Sequence, residues 1–83
     1  MPTYDVWIEV WLKDGIVDAE GRSVTEALQD IGYPVRDTRV GKIYHIILEA
    51  GSPQEAEKLV DEMCRRLLVN PVKDRYTFRV EER

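Results

Sequence analysis

The chain holds one imidazole, His45, and one thiol, Cys64. Any metal or nucleophile chemistry would have to be built on those two. A zinc site needs three or four nitrogen or sulfur ligands at close spacing, and the sequence offers no others. No Ser/His/Asp or Cys/His spacing suggests an activated nucleophile. A free cysteine among Leu, Val and Met residues reads as a small core side chain. His45, in the middle of an apolar run, reads as an interface side chain. Asp14, Asp18 and Glu20 have the look of a calcium loop, but the position that should close the twelve-residue frame with glutamate is Thr25. They are read instead as turn and cap residues. Gly41-Lys42 invites a phosphate-loop reading; that motif needs G-x-x-x-x-G-K-[ST] leading into a helix, and here a strand should follow. What remains is a local basic cluster, Arg36, Arg39, Gly41 and Lys42. It is either a solvated edge or a contact for an acidic partner or an anionic ligand, and we take it as the expected partner contact.

Composition narrows the classes further. Lys plus Arg is 12 and Asp plus Glu is 16, a net charge of −4 over 83 residues. An acidic surface is poorly suited to gripping a nucleic-acid backbone. The longest apolar run, Ile46-Ile47-Leu48, is far too short to span a bilayer, and the first residues show no basic-then-apolar signal-peptide pattern. One cysteine excludes an internal disulfide and fits a reducing compartment, so a cytoplasmic location is expected. The length suggests one domain, 1–83, whose small core leaves little stability to spare; oligomerisation is a common remedy.

The elements that must position these residues follow from periodicity. Residues 4–12 alternate, with Val6, Ile8, Val10 and Leu12 on one face and Asp5, Trp7, Glu9 and Trp11 on the other: a strand. Val24, Ala27, Leu28 and Ile31 repeat at helical spacing. Asp18 or Ser23 can cap that helix, Asp18 giving about one more turn, and Gly32 sits where helices stop. Val35 to Val40, after Pro34, predicts a short strand, and Lys42 to Ala50 a second one beyond a bend at Gly41. Ser52-Pro53-Gln54-Glu55 sets a cap, a first-turn proline and a capping-box glutamate in order. The stripe Ala56, Leu59, Val60, Met63, Leu67 should be buried, and Asn70-Pro71 ends the helix. Tyr76, Phe78 and Val80 mark the last strand. The order β-α-β-β-α-β is the ferredoxin-like arrangement or a close variant: an α+β domain with two helices on one face of a four-stranded, mainly antiparallel sheet.

The other face of that sheet is anomalous. It should carry Trp7 and Trp11 together with Ile43, His45 and Ile47, whereas a wet antiparallel face normally alternates toward polar residues. A second copy of the chain is the expected cover. RNA-recognition modules share the element order and stack bases on aromatic residues, but the glycine-aromatic motif is missing and the charge has the wrong sign. A small-metabolite-binding regulatory module acting as a homo-oligomer is the alternative function.

The segments Leu12-Lys13-Asp14, Val17-Asp18-Ala19-Glu20-Gly21, Ala27-Leu28 and Val35-Arg36-Asp37-Thr38-Arg39-Val40-Gly41-Lys42 resemble the PurS family. So does Glu62-Met63-Cys64-Arg65-Arg66-Leu67-Leu68-Val69-Asn70-Pro71-Val72, continued by Tyr76 and Val80-Glu81-Glu82. Ala19 is a departure, standing where many relatives carry proline. The resemblance implies a noncatalytic assembly subunit of phosphoribosylformylglycinamidine synthase, a glutamine-hydrolysing, ATP-dependent ligase of purine biosynthesis. It implies three partners: the chain itself as dimer or tetramer, the PurL synthetase subunit and the PurQ glutaminase subunit, with ammonia passing between the last two. It also implies no catalytic, cofactor or metal site on this chain, ATP and magnesium being used by the large subunit.

Overall fold

In a computed structural model, which describes residues 1–83, the elements run β1 (Thr3–Leu12), α1 (Ala19–Asp30), β2 (Lys42–Glu49), α2 (Pro53–Met63), a π-helical turn (Cys64–Leu68) and β3 (Asp74–Glu82). The three strands form one antiparallel sheet in the order β2-β1-β3. β1 is central because its alternating side chains are apolar on one face and hydrogen-bonded neighbours lie on both edges. Its register runs from Thr3↔Glu49 to Val10↔Lys42 on one side and from Tyr4↔Glu82 to Leu12↔Asp74 on the other.

The inward set of β1, Tyr4, Val6, Ile8 and Val10, is fully buried with Ala50, Ala56, Val60, Cys64 and Val69. Tyr44, Ile46, Leu48, Tyr76, Phe78 and Val80 flank it, as the register requires. α2 covers this face over β1 and β3. It starts as expected: Ser52 Oγ accepts from Glu55 N at 3.1 Å, and Glu55 reaches back to Gly51 N at 3.1 Å. The Tyr76 hydroxyl donates to Asp61 Oδ1 at 2.5 Å and pins α2 to β3.

Three expectations are corrected. Val35–Val40 is not a strand, so the sheet has three strands rather than four. The hydrogen-bonding groups of this segment are taken up around α1: Gln29 Nε2 donates to Val35 O at 2.7 Å, Thr25 Oγ1 to Thr38 Oγ1 at 2.7 Å, and Val40 N to Asp18 Oδ2 at 2.8 Å. The side chains of Gln29 and of the cap residue Asp18 thus take the Val35 carbonyl and the Val40 amide, backbone groups that a sheet edge would otherwise pair.

α1, secondly, does not lie over the sheet beside α2. It packs on its own return segment, residues 33–41, and only Gly21 and Thr25 of the helix are buried. The chain is accordingly elongated, 52 × 27 × 14 Å with a radius of gyration of 16.4 Å, against about 12 Å for a compact chain of this length. α1 nevertheless begins and ends where the sequence placed it. Asp18 Oδ1 accepts from Gly21 N at 2.8 Å. At the other end Gly32 N donates to Gln29 O and Tyr33 N to Leu28 O, both at 3.0 Å, with Gly32 at φ +99°, a Schellman stop.

Leu67, thirdly, is exposed rather than buried. α2 widens into the π turn, where Val69 N bonds Cys64 O at 3.0 Å, a five-residue step. The extra residue rotates Leu67 off the core stripe and brings Val69 into it.

Candidate functional site

The sheet face opposite α2 is open. On it β1 presents Asp5, Trp7, Glu9 and Trp11, and the register sets Trp7 between His45 on β2 and Arg79 on β3. Their rings and charges meet accordingly. The Trp7 and His45 rings stack at 3.9 Å with planes 4° apart, and the Arg79 guanidinium stands 5.4 Å from the centre of the Trp7 ring. His45 Nε2 donates to Asp5 Oδ1 at 2.9 Å, and Arg83 Nε lies 3.8 Å from the other carboxylate oxygen of Asp5. Trp7 is thus half-buried by polar neighbours within the chain. Ile43 and Ile47, two residues either side of His45, have no such cover and are 66 % and 52 % exposed.

Trp11 stands at the end of this face, apart from the Trp7 stack. Its six-membered ring lies against Gly41, where an added Cβ would come within 2.7 Å of Trp11 Cε3. Gly41 is therefore needed for close approach to an indole; its φ is not positive, so the bend there uses no left-handed backbone.

The four residues of the expected basic contact do not form one cluster. Arg36 and Arg39 border a cleft of about 420 Å³ shared with Arg22, Thr25 and Gln29 of α1. Arg39 is paired with Asp37 at 3.2 Å. Lys42 opens a separate groove with Trp11 and Lys73. With no strand before it, the segment is not a hairpin, and Arg36 and Lys42 are its cations without a carboxylate partner.

His45 and Cys64 lie on opposite sides of the sheet, His45 on the open face and Cys64 in the core. Burial pushes the Cys64 thiol above its usual value, and the Asp61 carboxylate adds to that, so the thiolate a nucleophile needs is disfavoured. No group of three or more His, Cys, Asp or Glu side chains is placed to hold a metal ion, and no helix is long and apolar enough to cross a membrane. Asp5, Arg79 and Arg83 are the members of the open-face cluster that sequence reasoning missed. Alternation already placed Asp5 beside Trp7, but which strand would bring Arg79 over the ring depended on strand order.

What this geometry can do is bind. Residues 5–82 match the family described as PurS: Phosphoribosylformylglycinamidine (FGAM) synthase. The chain belongs to the PurS family. It is 42% identical over 75 residues to the phosphoribosylformylglycinamidine synthase subunit PurS of Archaeoglobus fulgidus, covering 89% of this chain and 91% of that one. It is 39% identical over 80 residues to the PurS subunit of Bacillus subtilis, covering 95% and 94%. Among solved structures it resembles a chain of PurLQS from Thermotoga maritima, with a TM-score of 0.90 and 33% identity over 98% of this chain and 100% of that one. Methanocaldococcus jannaschii PurS, a subunit of formylglycinamide ribonucleotide amidotransferase, gives a TM-score of 0.89 at 33% identity over 96% and 98%. The PurS fold therefore includes the outstanding α1 arm, since these similarities extend over nearly the whole chain.

Proposed function

We propose that this chain is the noncatalytic assembly subunit of a three-chain phosphoribosylformylglycinamidine synthase in purine biosynthesis. It joins a PurL synthetase subunit to a PurQ glutaminase subunit so that glutamine-derived ammonia passes between them. The observation that carries the reading is the near-complete match to a chain of PurLQS. An open sheet face that exposes Ile43 and Ile47, on a protein whose only thiol is buried and whose only imidazole is stacked, supports it. In this reading the 83 residues act as one cytoplasmic domain that holds no cofactor, and ATP and magnesium serve the large subunit.

Trp7, Trp11, Ile43, His45 and Ile47 form the self-association face, and Arg36, Arg39, Gly41 and Lys42 supply a partner contact, with Arg36 and Lys42 free to bear its charge. The topology is a close variant of the ferredoxin-like arrangement. β1 and β3 keep their places, and the outer edge of β2, where a further strand would pair, is left for another chain.

The test is reconstitution. The pure chain should hydrolyse neither glutamine nor ATP, and adding it to PurL and PurQ should raise glutamine-dependent turnover well above their background. Lys42→Glu, an exposed change expected to alter folding by about 0.5 kcal/mol or less, should weaken assembly about a hundredfold if it meets an acidic partner. Turnover with supplied ammonia should suffer less. Glutaminase activity of the isolated chain, or thermal stabilisation by a metabolite with no effect on PurL and PurQ, would refute the reading and favour a regulatory module.

A further inference from the structure

α1 carries an apolar line that the rest of the chain leaves exposed. Val24, Ala27 and Ile31 follow Glu20 at four, seven and eleven residues, along one side of the helix, and all three are exposed. The side that packs on the return segment is a different one, with Gly21 and Thr25. The sheet has an apolar surface that is also short of cover. α2 sits over β1 and β3, which leaves Tyr44, Ile46 and Leu48, the inward set of β2, only half-buried.

The root of the arm separates these two surfaces, and it has the construction of a hinge. Every hydrogen bond and ion pair of residues 18–40 is made within that segment: Asp18 with Gly21 and Val40, Thr25 with Thr38, Gln29 with Val35, Arg39 with Asp37. The arm is braced as one body and is tied to the sheet through its two connections. Gly15 stands in the first at φ +86°, with open space where a Cβ would lie, and Gly41 forms the second. Hinges are a few such residues at element ends that absorb a change in backbone angles.

Grooves flank the root on both sides of the sheet, and their charges give a swing its direction. On the inward side a groove of about 390 Å³ holds Asp18 and Glu20 of the arm together with Lys42 and Lys73 of the body, Asp74 following Lys73. On the open-face side a groove of about 240 Å³ holds Arg39 of the arm and Arg75 of β3, with Asp14 of the connection. Asp18 is occupied by two backbone amides. Glu20, Lys42 and Lys73 have no ion-pair partner. Closing the inward groove brings Glu20 toward two lysines, whereas closing the other drives two arginines together. Glu20 shares its side of α1 with Val24, Ala27 and Ile31, so closing the inward groove also turns that apolar line toward β2.

We propose that residues 18–40 swing as one body on Gly15 and Gly41, from the extended position toward the inward face of β2. In the closed form α1 lies beside α2, its line of Val24, Ala27 and Ile31 faces Tyr44, Ile46 and Leu48, and Glu20 meets Lys42 and Lys73. Closure gives the two helices on one sheet face that the element order implies, and it covers two apolar surfaces that the extended form leaves wet. α1 has 12 residues and is about 18 Å long, so a quarter-turn about its root carries its far end about 25 Å. The inference concerns the chain alone and stands or falls apart from the assembly reading.

The test is double electron–electron resonance on the full chain, with nitroxide labels at Asp30→Cys, the far end of α1, and Gln54→Cys, in the first turn of α2. Both positions are exposed, and Cys64 is buried away from the label. A large excess of unlabelled chain keeps each measured pair within one molecule. Two distances should appear, the shorter one below the longer by about 20 Å or more. Lys73→Glu, and separately about 1 M salt, should each reduce the short-distance population about two- to fivefold. Adding Glu20→Lys to the Lys73→Glu chain should restore it. Both residues are exposed, so these variants should keep the wild-type circular dichroism. One distance in every sample overturns the hinge. A short-distance population indifferent to salt and to Lys73→Glu overturns the charge-directed closure. A short distance that vanishes on dilution with unlabelled chain places α1 on a second copy and refutes closure within the chain.

Discussion

Replacing Gly21 with alanine in α1 should destabilise the arm, against the usual rule for helices. In an open helix the change would gain about 1 kcal/mol, because glycine is the poorer helix former by that amount. Here a Cβ on residue 21 would sit 2.1 Å from the Thr38 carbonyl oxygen. Restoring an ordinary contact requires the return segment to lift by roughly 1 Å, and backbone on both sides leaves no flexible side chain to give way. A shift of that size stretches the Thr25–Thr38 hydrogen bond from 2.7 Å beyond its useful range. A neutral bond of this kind contributes about 1 kcal/mol, which already cancels the helix gain. The overpacking itself, typically about 1–3 kcal/mol, then sets the net effect. The bond from Val40 N to Asp18 is strained in the same movement. The assay is amide hydrogen exchange. Local opening that becomes easier by about 1–3 kcal/mol speeds exchange of the Val40 amide roughly 5- to 150-fold. Amides of Tyr4 to Ile8 in β1, away from the arm, should exchange as in the wild type. Unchanged or slower exchange at Val40 would refute the close packing of α1 on residues 33–41.

Two further outcomes follow from the sheet. Ile47→Asp leaves the isolated fold nearly intact, since the side chain is 52 % exposed, but puts an unpaired carboxylate into the proposed self-association face, which costs about 3–5 kcal/mol if the contact is dry. Light scattering should find a smaller species, and a folded oligomer of unchanged mass would remove that face from the interface. Stability should also fall in acid for a specific reason. The Tyr76 hydroxyl, then the Arg65 guanidinium, hold Asp61 below the ordinary carboxylate value against the opposing effect of burial; the Val40 and Gly21 amides do the same for Asp18. A carboxylate whose folded value is lowered contributes stability that is complete above its unfolded value and is lost as pH falls through the folded one. Tyr76→Phe should therefore lower the urea midpoint at neutral pH and converge on the wild type below the normal carboxylate range; parallel curves down to strong acid would rule out the Tyr76–Asp61 bond as the source.

The parts of this fold that were legible in the sequence are those set by a single element's own chemistry. Asp18, Gly32 and Ser52 cap or stop helices through groups within a few residues of themselves, and β1 betrays both of its faces by strict alternation. What failed depended on distant choices. Val35–Val40 has the composition of a strand, and nothing local reveals that Gln29 and Asp18 will take its backbone hydrogen bonds before a sheet edge can. The stripe Val24, Ala27, Leu28, Ile31 predicts a helix face that must pack on something, and two helices on one sheet face would supply it. Within the single chain α1 does not lie on the sheet, so that face is not covered there. Ile31 is 71 % exposed, and Ile43 and Ile47 on the sheet are exposed to a lesser degree. Leu67 failed for the opposite reason, a backbone step one residue too long that side-chain periodicity cannot encode. Each of these exposures is unfavourable for a lone chain with a core of this size. Each would cease to be so if another surface covered it, which is what the light-scattering measurement on Ile47→Asp tests for the open face.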